Sequence, residues 1–239
     1  MSDVPAPMTL RAFTFNPFAT NTYVLSSGGE ALVVDAASHR ADEHAEVTEY
    51  VRANGLTVRH LLLTHAHLDH VYGCAALAGA FGGDNAPSWR LHPSDAPLAR
   101  AVPDQARLFG APPAAPLPPL GAPLVDGETF TLGRLRVEVR HTPGHAPGHV
   151  AFVVTDPAAS DPAASDTAAL GAAPLVFAGD ALFQGSIGRT DLPLGDLPTL
   201  LRSIETRLMT LPDATRVLSG HGPETTIGHE RRTNPYLVA

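Results

Sequence analysis

The stretch Thr64-His65-Ala66-His67-Leu68-Asp69-His70 follows directly on an apolar run at residues 58–63, and its reading decides the rest of the chain. The run has the length and apolar character of a buried strand, so the histidines fall on the loop at its end. Three imidazoles and a carboxylate crowded there would repel and desolvate one another without a cation to neutralise them. His65 and His67 are two residues apart, so in an extended turn both rings project to one side and can grip one ion. Asp69 and His70 enter a helix start, where they can point away from the first pair and supply a neighbouring second ion. Neutral imidazole and carboxylate suit zinc, and also iron or manganese.

Working outward, three more apolar segments end in ligand-type side chains. Residues 175–177 run to Asp180, 215–218 to His221 and 135–139 to His145. Loops at the carboxyl ends of strands are where a rigid sheet brings distant residues together, so four such endings predict one shared site. The first third reads as strands at 10–15, 22–25 and 31–34, then an amphipathic helix over 42–53 closed by Asn54-Gly55. An apolar helix is expected over 71–81 and a short strand over 89–92, followed by a stretch rich in proline, aspartate and alanine. The proline-dense segment 111–123 predicts an extended surface connection. Further strands are expected at 130–132 and 150–154, and a helix at 197–209. Residues 156–173 carry a tandem Asp-Pro-Ala-Ala-Ser repeat, read as a flexible surface insertion within one domain spanning 1–239.

Bulk properties narrow the function. Of 239 residues, 44% are hydrophobic and 17% charged, with mean hydropathy +0.03, a balance typical of a soluble globular chain. No apolar run approaches the roughly 20 residues that span a bilayer, and the opening MSDVPAPMTL lacks signal-peptide character, so no membrane partner and a cytoplasmic location are expected. The single cysteine, Cys74, rules out an internal disulfide and a multi-cysteine zinc site. A net charge of -8 without a basic run argues against a nucleic-acid groove and favours small-molecule partners. Every basic side chain is arginine, which excludes a lysine nucleophile or Schiff base. His39, His44, His60, His92 and His229 are expected to be ordinary surface or hydrogen-bonded residues; His141 and His149 stand between that and a site role.

Four segments resemble the metallo-β-lactamase-fold hydrolases, in particular the hydroxyacylglutathione hydrolase (glyoxalase II) branch: THAHLDH at 64–70, TPGHAPGH at 142–149, GDALFQGSIGRTDLPLGD at 179–196 and SGHGPETTIGHE at 219–230. The resemblance implies an α/β fold, a four-layered αββα sandwich with a metal site along one edge. By matching position it implies that His65, His67 and His145 bind one ion, that Asp69, His70 and His221 bind another, and that Asp180 bridges them. Asp69 and Asp180 are then the carboxylates at the reacting centre, and Asp35 supports the metal loop. Two divalent ions, zinc foremost with iron or manganese as alternatives, would generate hydroxide near neutral pH and polarise a carbonyl. The implied reaction is hydrolysis of an acyl-thioester such as S-lactoylglutathione. The chain departs from the family in two places. Only eighteen residues follow His221, so the helical extension that binds glutathione is essentially absent. Arg189 falls where family members place a basic substrate contact, but Asp191 stands near a position they give to tyrosine. The final Arg231-Arg232 reads as a solvated pair in preference to a carboxylate site.

Three rival readings accompany this one. A persulfide dioxygenase would hold a single iron with His65, His145 and Asp180, although that type usually closes with His-Asp-Tyr instead of His221-Gly222-Pro223-Glu224. A true β-lactamase fits less well because Asp180 occupies the bridging position. A non-catalytic metal-binding module conflicts with a complete ligand set.

Overall fold

The computed structural model describes residues 8–82, 87–157 and 173–238. The expected insertion at 156–173 falls almost wholly outside them. The first sheet runs in the order β1 (Thr9–Phe15), β2 (Thr20–Ser27), β3 (Glu30–Val34), β4 (Thr57–Leu62) and β5 (Trp89–Arg90). Its first three strands pair antiparallel and its last three parallel. The switch follows from the connections: Gly28 and Gly29, both at positive φ, close a two-residue hairpin between β2 and β3, whereas α1 (Ala41–Ala53) crosses from β3 to β4.

The second sheet takes β6 (Thr129–Leu132), β7 (Leu135–His141), β8 (Val150–Thr155), β9 (Leu175–Gly179), β12 (Arg216–Ser219) and β13 (Thr225–Thr226), with β9 and β12 parallel and the other pairs antiparallel. A separate ribbon, β10 (Leu182–Phe183) and β11 (Ser186–Ile187), lies between β9 and β12 in sequence.

Alternation of side chains along these strands builds three apolar layers. Leu25, Leu32 and Leu62 of the first sheet meet Val139, Phe152 and Phe177 of the second in the middle layer. The opposite face, with Val24, Val33 and Leu61, is covered by α1, α3 (Cys74–Ala80), α4 (Ala96–Arg100) and α5 (Val102–Leu108) through Val47, Leu77, Leu98 and Val102. The outer face of the second sheet, with Val153, Val176 and Val217, lies under α6 (Leu197–Ser203) and α7 (Ile227–Thr233). Helix, sheet, sheet and helix thus stack in four layers around cores too apolar to face water. Burying a single side chain such as Phe152 or Phe177 contributes about 1.5–3 kcal/mol.

Three expectations are corrected. The helix foreseen over 71–81 is broken: α2 (Leu68–Val71) stops and α3 starts after Gly73, whose N–H donates to Ala36 O at 2.7 Å. A side chain at Gly73 would collide with Ser38, so the chain turns there against the loop after β3. The proline-rich segment after His92, which carries no expected element, is helical, with α4 and α5 in series. The strand foreseen over 89–92 is confined to Trp89–Arg90. The helix expected over 197–209 ends in a π turn, Ile204–Leu208, after α6.

Candidate metal centre

The parallel and antiparallel pairings leave the carboxyl ends of β4, β7, β9 and β12 on one edge of the molecule, where the two sheets are also sewn together. Asn21 N–H at the start of β2 donates to Gly220 O at 2.7 Å, and the Tyr23 hydroxyl and the Asn21 amide both donate to Ser219 O. The loop beyond each strand end carries histidine or aspartate into this seam.

His65, His67 and His145 face one another. His67 Nδ1 lies 2.8 Å from His145 Nε2, and His145 Nε2 lies 3.2 Å from His65 Nε2. On the other side, His221 Nε2 lies 3.2 Å from Asp69 Oδ2, and His70 Nε2 lies 3.4 Å from the same oxygen. Asp180 stands between the two sets: its Oδ1 is 3.3 Å from His70 Nε2, and its Oδ2 is 3.3 Å from His221 Nε2 and 3.6 Å from His145 Nε2. Within 4.8 Å the donor atoms form the groups His65–His67–His145 and Asp69–His70–His221, with a third, His65–His70–Asp180, straddling them. All seven side chains named from the sequence therefore meet at one place.

The outer hydrogen bonds fix which nitrogen each ring turns inward. His145 Nδ1 donates to Arg189 O at 2.8 Å, His70 Nδ1 to Asp35 Oδ2 at 2.8 Å, and His221 Nδ1 to Phe18 O at 3.0 Å. Each turns Nε2 toward the centre, where the neutral ring would offer its lone pair to a cation. His70 Nε2 and Asp180 Oδ1 are buried with no hydrogen-bond partner. Imidazole nitrogens and carboxylates crowded this closely in a buried pocket are what a cation stabilises and what an apolar core would not tolerate. The donor set, all nitrogen and carboxylate oxygen, fits divalent ions of intermediate hardness.

Electrostatics divides the same residues. Burial holds His65 well below its usual range and pushes His67 down to about 3, with neighbouring imidazoles adding to the effect. Burial also lowers His145. Burial opposes charge on His70 and His221 too, but Asp69, Asp180 and Asp35 outweigh it at His70, which rises well above its usual value. Hydrogen bonds to Asp180 and Asp69 carry His221 to about 10. Against their own burial, Asp69 is held at about 2 and Asp180 well below the carboxylate range, chiefly by His70 and His221. The carboxylates thus demand positive charge at the centre. A proton on His70 and His221 answers that demand, and so does a metal cation, which alone also engages the neutral rings.

Asp35 lies beneath the loop. Its carboxylate accepts from Thr64 N–H at 2.8 Å, from Thr64 Oγ1 at 2.9 Å and from His70. Its backbone has φ +59°, strained for a side chain of this kind, and holds because these bonds and its own N–H to Leu62 O over-determine it. Arg189 lines the cavity beside the centre, but its guanidinium is held by both oxygens of Asp191 at 2.7 Å. Arg231 and Arg232 are ion-paired with Asp213, and Arg231 also bonds Met209 O and Leu211 O; neither lines the site.

Three positioning residues were not assigned from the sequence. His149, fully buried, accepts from Asp180 N–H at 3.0 Å through Nε2 and meets Thr142 Oγ1 at 2.8 Å through Nδ1. Asp95, also fully buried, accepts from Ala66 N–H at 2.9 Å and from Gly148 N–H, tying the 64–70 loop to the 142–149 loop. Gln105 accepts from Leu68 N–H and donates to Ala66 O and Leu98 O. His149 had a signal, its place in TPGHAPGH; Asp95 and Gln105 bond only backbone and had none. The remaining histidines lie outside the cluster, His92 stacked on His141 with ring centroids 4.2 Å apart.

Fold and centre together define a class. The model of the metallo-beta-lactamase superfamily matches residues 15–157 and 169–221, and the chain belongs to that superfamily. It is similar to a protein of Haemophilus influenzae named hydroxyacylglutathione hydrolase GloC, 35% identical over 223 residues, which cover 91% of this chain and 87% of that one. Among solved structures it is similar to BLEG-1, described as a B3 metallo-beta-lactamase, with 33% identity, a TM-score of 0.79 and coverage of 97% of this chain and 100% of the other. It is also similar to TTHA1623 in a di-iron-bound form, with 38% identity, a TM-score of 0.76 and coverage of 95% and 100%.

Proposed function

We propose that this metallo-hydrolase cleaves acyl-thioesters with two divalent ions, zinc foremost, held by His65, His67 and His145 on one side, Asp69, His70 and His221 on the other, and Asp180 between. The observation that carries the reading is the position of Asp180 within 3.3–3.6 Å of nitrogens from both sets, at the wall of a cavity of about 370 Å³. The likeness to GloC supports the thioester, and the di-iron relative keeps iron as the alternative metal.

When bound, divalent ions acidify water to give a nucleophile near neutral pH and polarise a carbonyl oxygen. The chain's own groups do the rest. Asp69 and Asp180, both ionised at neutral pH, accept hydrogen bonds from the attacking water and aim its lone pair at the acyl carbon. Thr20 Oγ1 donates to Asp69 Oδ2 at 2.7 Å and fixes that carboxylate's direction. His149 holds the backbone of Asp180, and Asp35 holds His70 and Thr64. A thiolate leaves without needing a strong acid, which accords with a site that has no lysine and whose one cysteine, Cys74, is buried in the apolar core. Arg189 reaches the cavity from its rim as the substrate contact.

One preparation tests the proposal. Protein purified without added metal is analysed for zinc and iron and assayed for thiol release from S-lactoylglutathione and short acyl-thioesters. Oxygen uptake with glutathione persulfide and opening of a chromogenic β-lactam serve as counter-assays. About two metal equivalents with thiol release are expected. A single iron with oxygen consumption and no thioester cleavage overturns it in favour of the dioxygenase. Hydrolysis of the lactam alone, as the description of BLEG-1 suggests for that protein, overturns it in favour of a β-lactamase.

A further inference from the structure

Beside the cavity at the metal centre lies a second, of about 360 Å³. The two share His67, Phe109 and Leu192, so the second is a side arm of the first. Its walls are Leu98, Ala101, Leu108 and Pro193 together with Phe109 and Leu192. The polar residues on its lining are already engaged. Gln105 spends its carbonyl on Leu68 N–H and its amide on Ala66 O and Leu98 O, and Asp104 is paired with Arg107. Leu108 and Phe109 keep 68% and 39% of their surface exposed at this arm. Large apolar side chains left open on a cavity lip are stabilised when an apolar ligand covers them.

The charges around the arm point the same way. Among the described residues, Arg189 is the only basic side chain lining either cavity other than histidine, and Asp191 compensates it with two hydrogen bonds. Asp104 and Asp191 stand near the rims. Asp104 and Asp191 are each paired with an arginine, so a carrier thiol with free carboxylates, such as glutathione, finds no unpaired arginine here, whereas an aliphatic chain finds an apolar wall opening on the centre through His67.

We propose that this arm binds the acyl chain of the substrate, so that the enzyme prefers straight aliphatic acyl groups on an uncharged thiol to lactoyl-glutathione. The inference rests on the thioesterase reading. The step is the same: water oxygen bonds to the acyl carbon, the C–S bond breaks with its electron pair on sulfur, and the products are the carboxylate, the thiol and one proton.

The test is a chain-length series, acetyl to octanoyl, on N-acetylcysteamine and on glutathione, with the metal-loaded enzyme. The kcat/KM is expected to climb with length by up to about fourfold per methylene until the arm is full. The neutral thiol should outperform glutathione at each length. Ala101→Trp, which fills the arm, should bring the octanoyl-to-acetyl ratio toward one. Calorimetric binding of acetate through octanoate to the wild-type enzyme reads the arm without any turnover. A flat series with lactoyl-glutathione as the best substrate, or binding independent of chain length, overturns the inference and leaves the thioesterase standing. Cleavage of no thioester, with binding that still rises with length, overturns the thioesterase and leaves the apolar arm.

Discussion

Asp180 concentrates the site in one side chain, since nitrogens from both ligand sets approach it and its Oδ1 has no hydrogen-bond partner. Asp180→Ala should therefore abolish activity and lower bound metal, measured by elemental analysis, with the fold retained by circular dichroism; full metal content would remove its bridging role. His149 supports the same residue from behind. His149→Ala leaves Asp180 N–H buried without an acceptor, which costs about 1–3 kcal/mol in chemical denaturation, and weakens metal binding by about 10–100-fold in chelator competition. Equal metal affinity in the variant would reduce His149 to a packing residue. Arg189 calls for a smaller effect. Its charge is shared with Asp191 on an exposed rim, so Arg189→Ala should raise KM for an anionic thiol about two- to fivefold with kcat little changed. A loss confined to kcat would move Arg189 into the chemistry. His65, His67, Asp69 and His70 are legible from sequence because ligands so dense at a strand end have no other stable arrangement. Asp95 and Gln105 were not, because a side chain that bonds only to backbone leaves no pattern in the types around it.

At the scale of elements, most strands announce themselves by apolar runs between turns, and the helix boundaries fail for local reasons. The proline-rich segment after His92 carries no expected element, yet Pro97 and Pro103 sit in the first turns of α4 and α5, where a missing N–H costs nothing and the fixed φ helps. The break at Gly73 is imposed from outside, by Ala36 O and Ser38, and no local signal carries it. The turn after β12 is equally constrained. A β carbon at Gly220 would be driven into Asp180 Oδ1 and His70 Cε1. Gly220→Ala should consequently give a folded protein with displaced ligands, seen as lowered metal occupancy at an almost unchanged melting temperature in the metal-free state. Normal occupancy would mean that β12 can shift without disturbing the centre.

For the molecule as a whole, acidic groups are gathered where cations are needed. In the metal-free protein His70 and His221 retain protons at neutral pH, because both are raised. Loading the ions must then release about two protons, readable as a dependence of calorimetric heat on buffer ionisation enthalpy; no release at pH 7 would mean that both rings are already neutral. The sign for stability follows. A histidine raised to about 10 stabilises the fold fully below its ordinary value and loses that contribution as pH climbs through the raised one. The melting temperature of the metal-free protein should accordingly fall between about pH 7 and pH 10, while that of the loaded protein holds. The layered architecture followed from the family resemblance; apolar strands such as 31–34 and 150–154 are buried on both faces and carry no alternation from which to read it. The substrate arm did not, because its walls come from α4, α5 and the 192–193 turn, segments brought together only by the fold.

The seam between the sheets sets the order in which the chain can mature. Thr20 bridges His221 across it, and Asn21 bonds Gly220, so residues near the start of the chain close against residues near its end. Closing so long a loop comes late and slowly in folding. A chain still lacking β12 holds His65, His67 and His70 but neither His221 nor the turn that confines Asp180. The full ligand set therefore assembles only once β12 has docked, and ions held by it would act as a lock on the seam that this late strand closes.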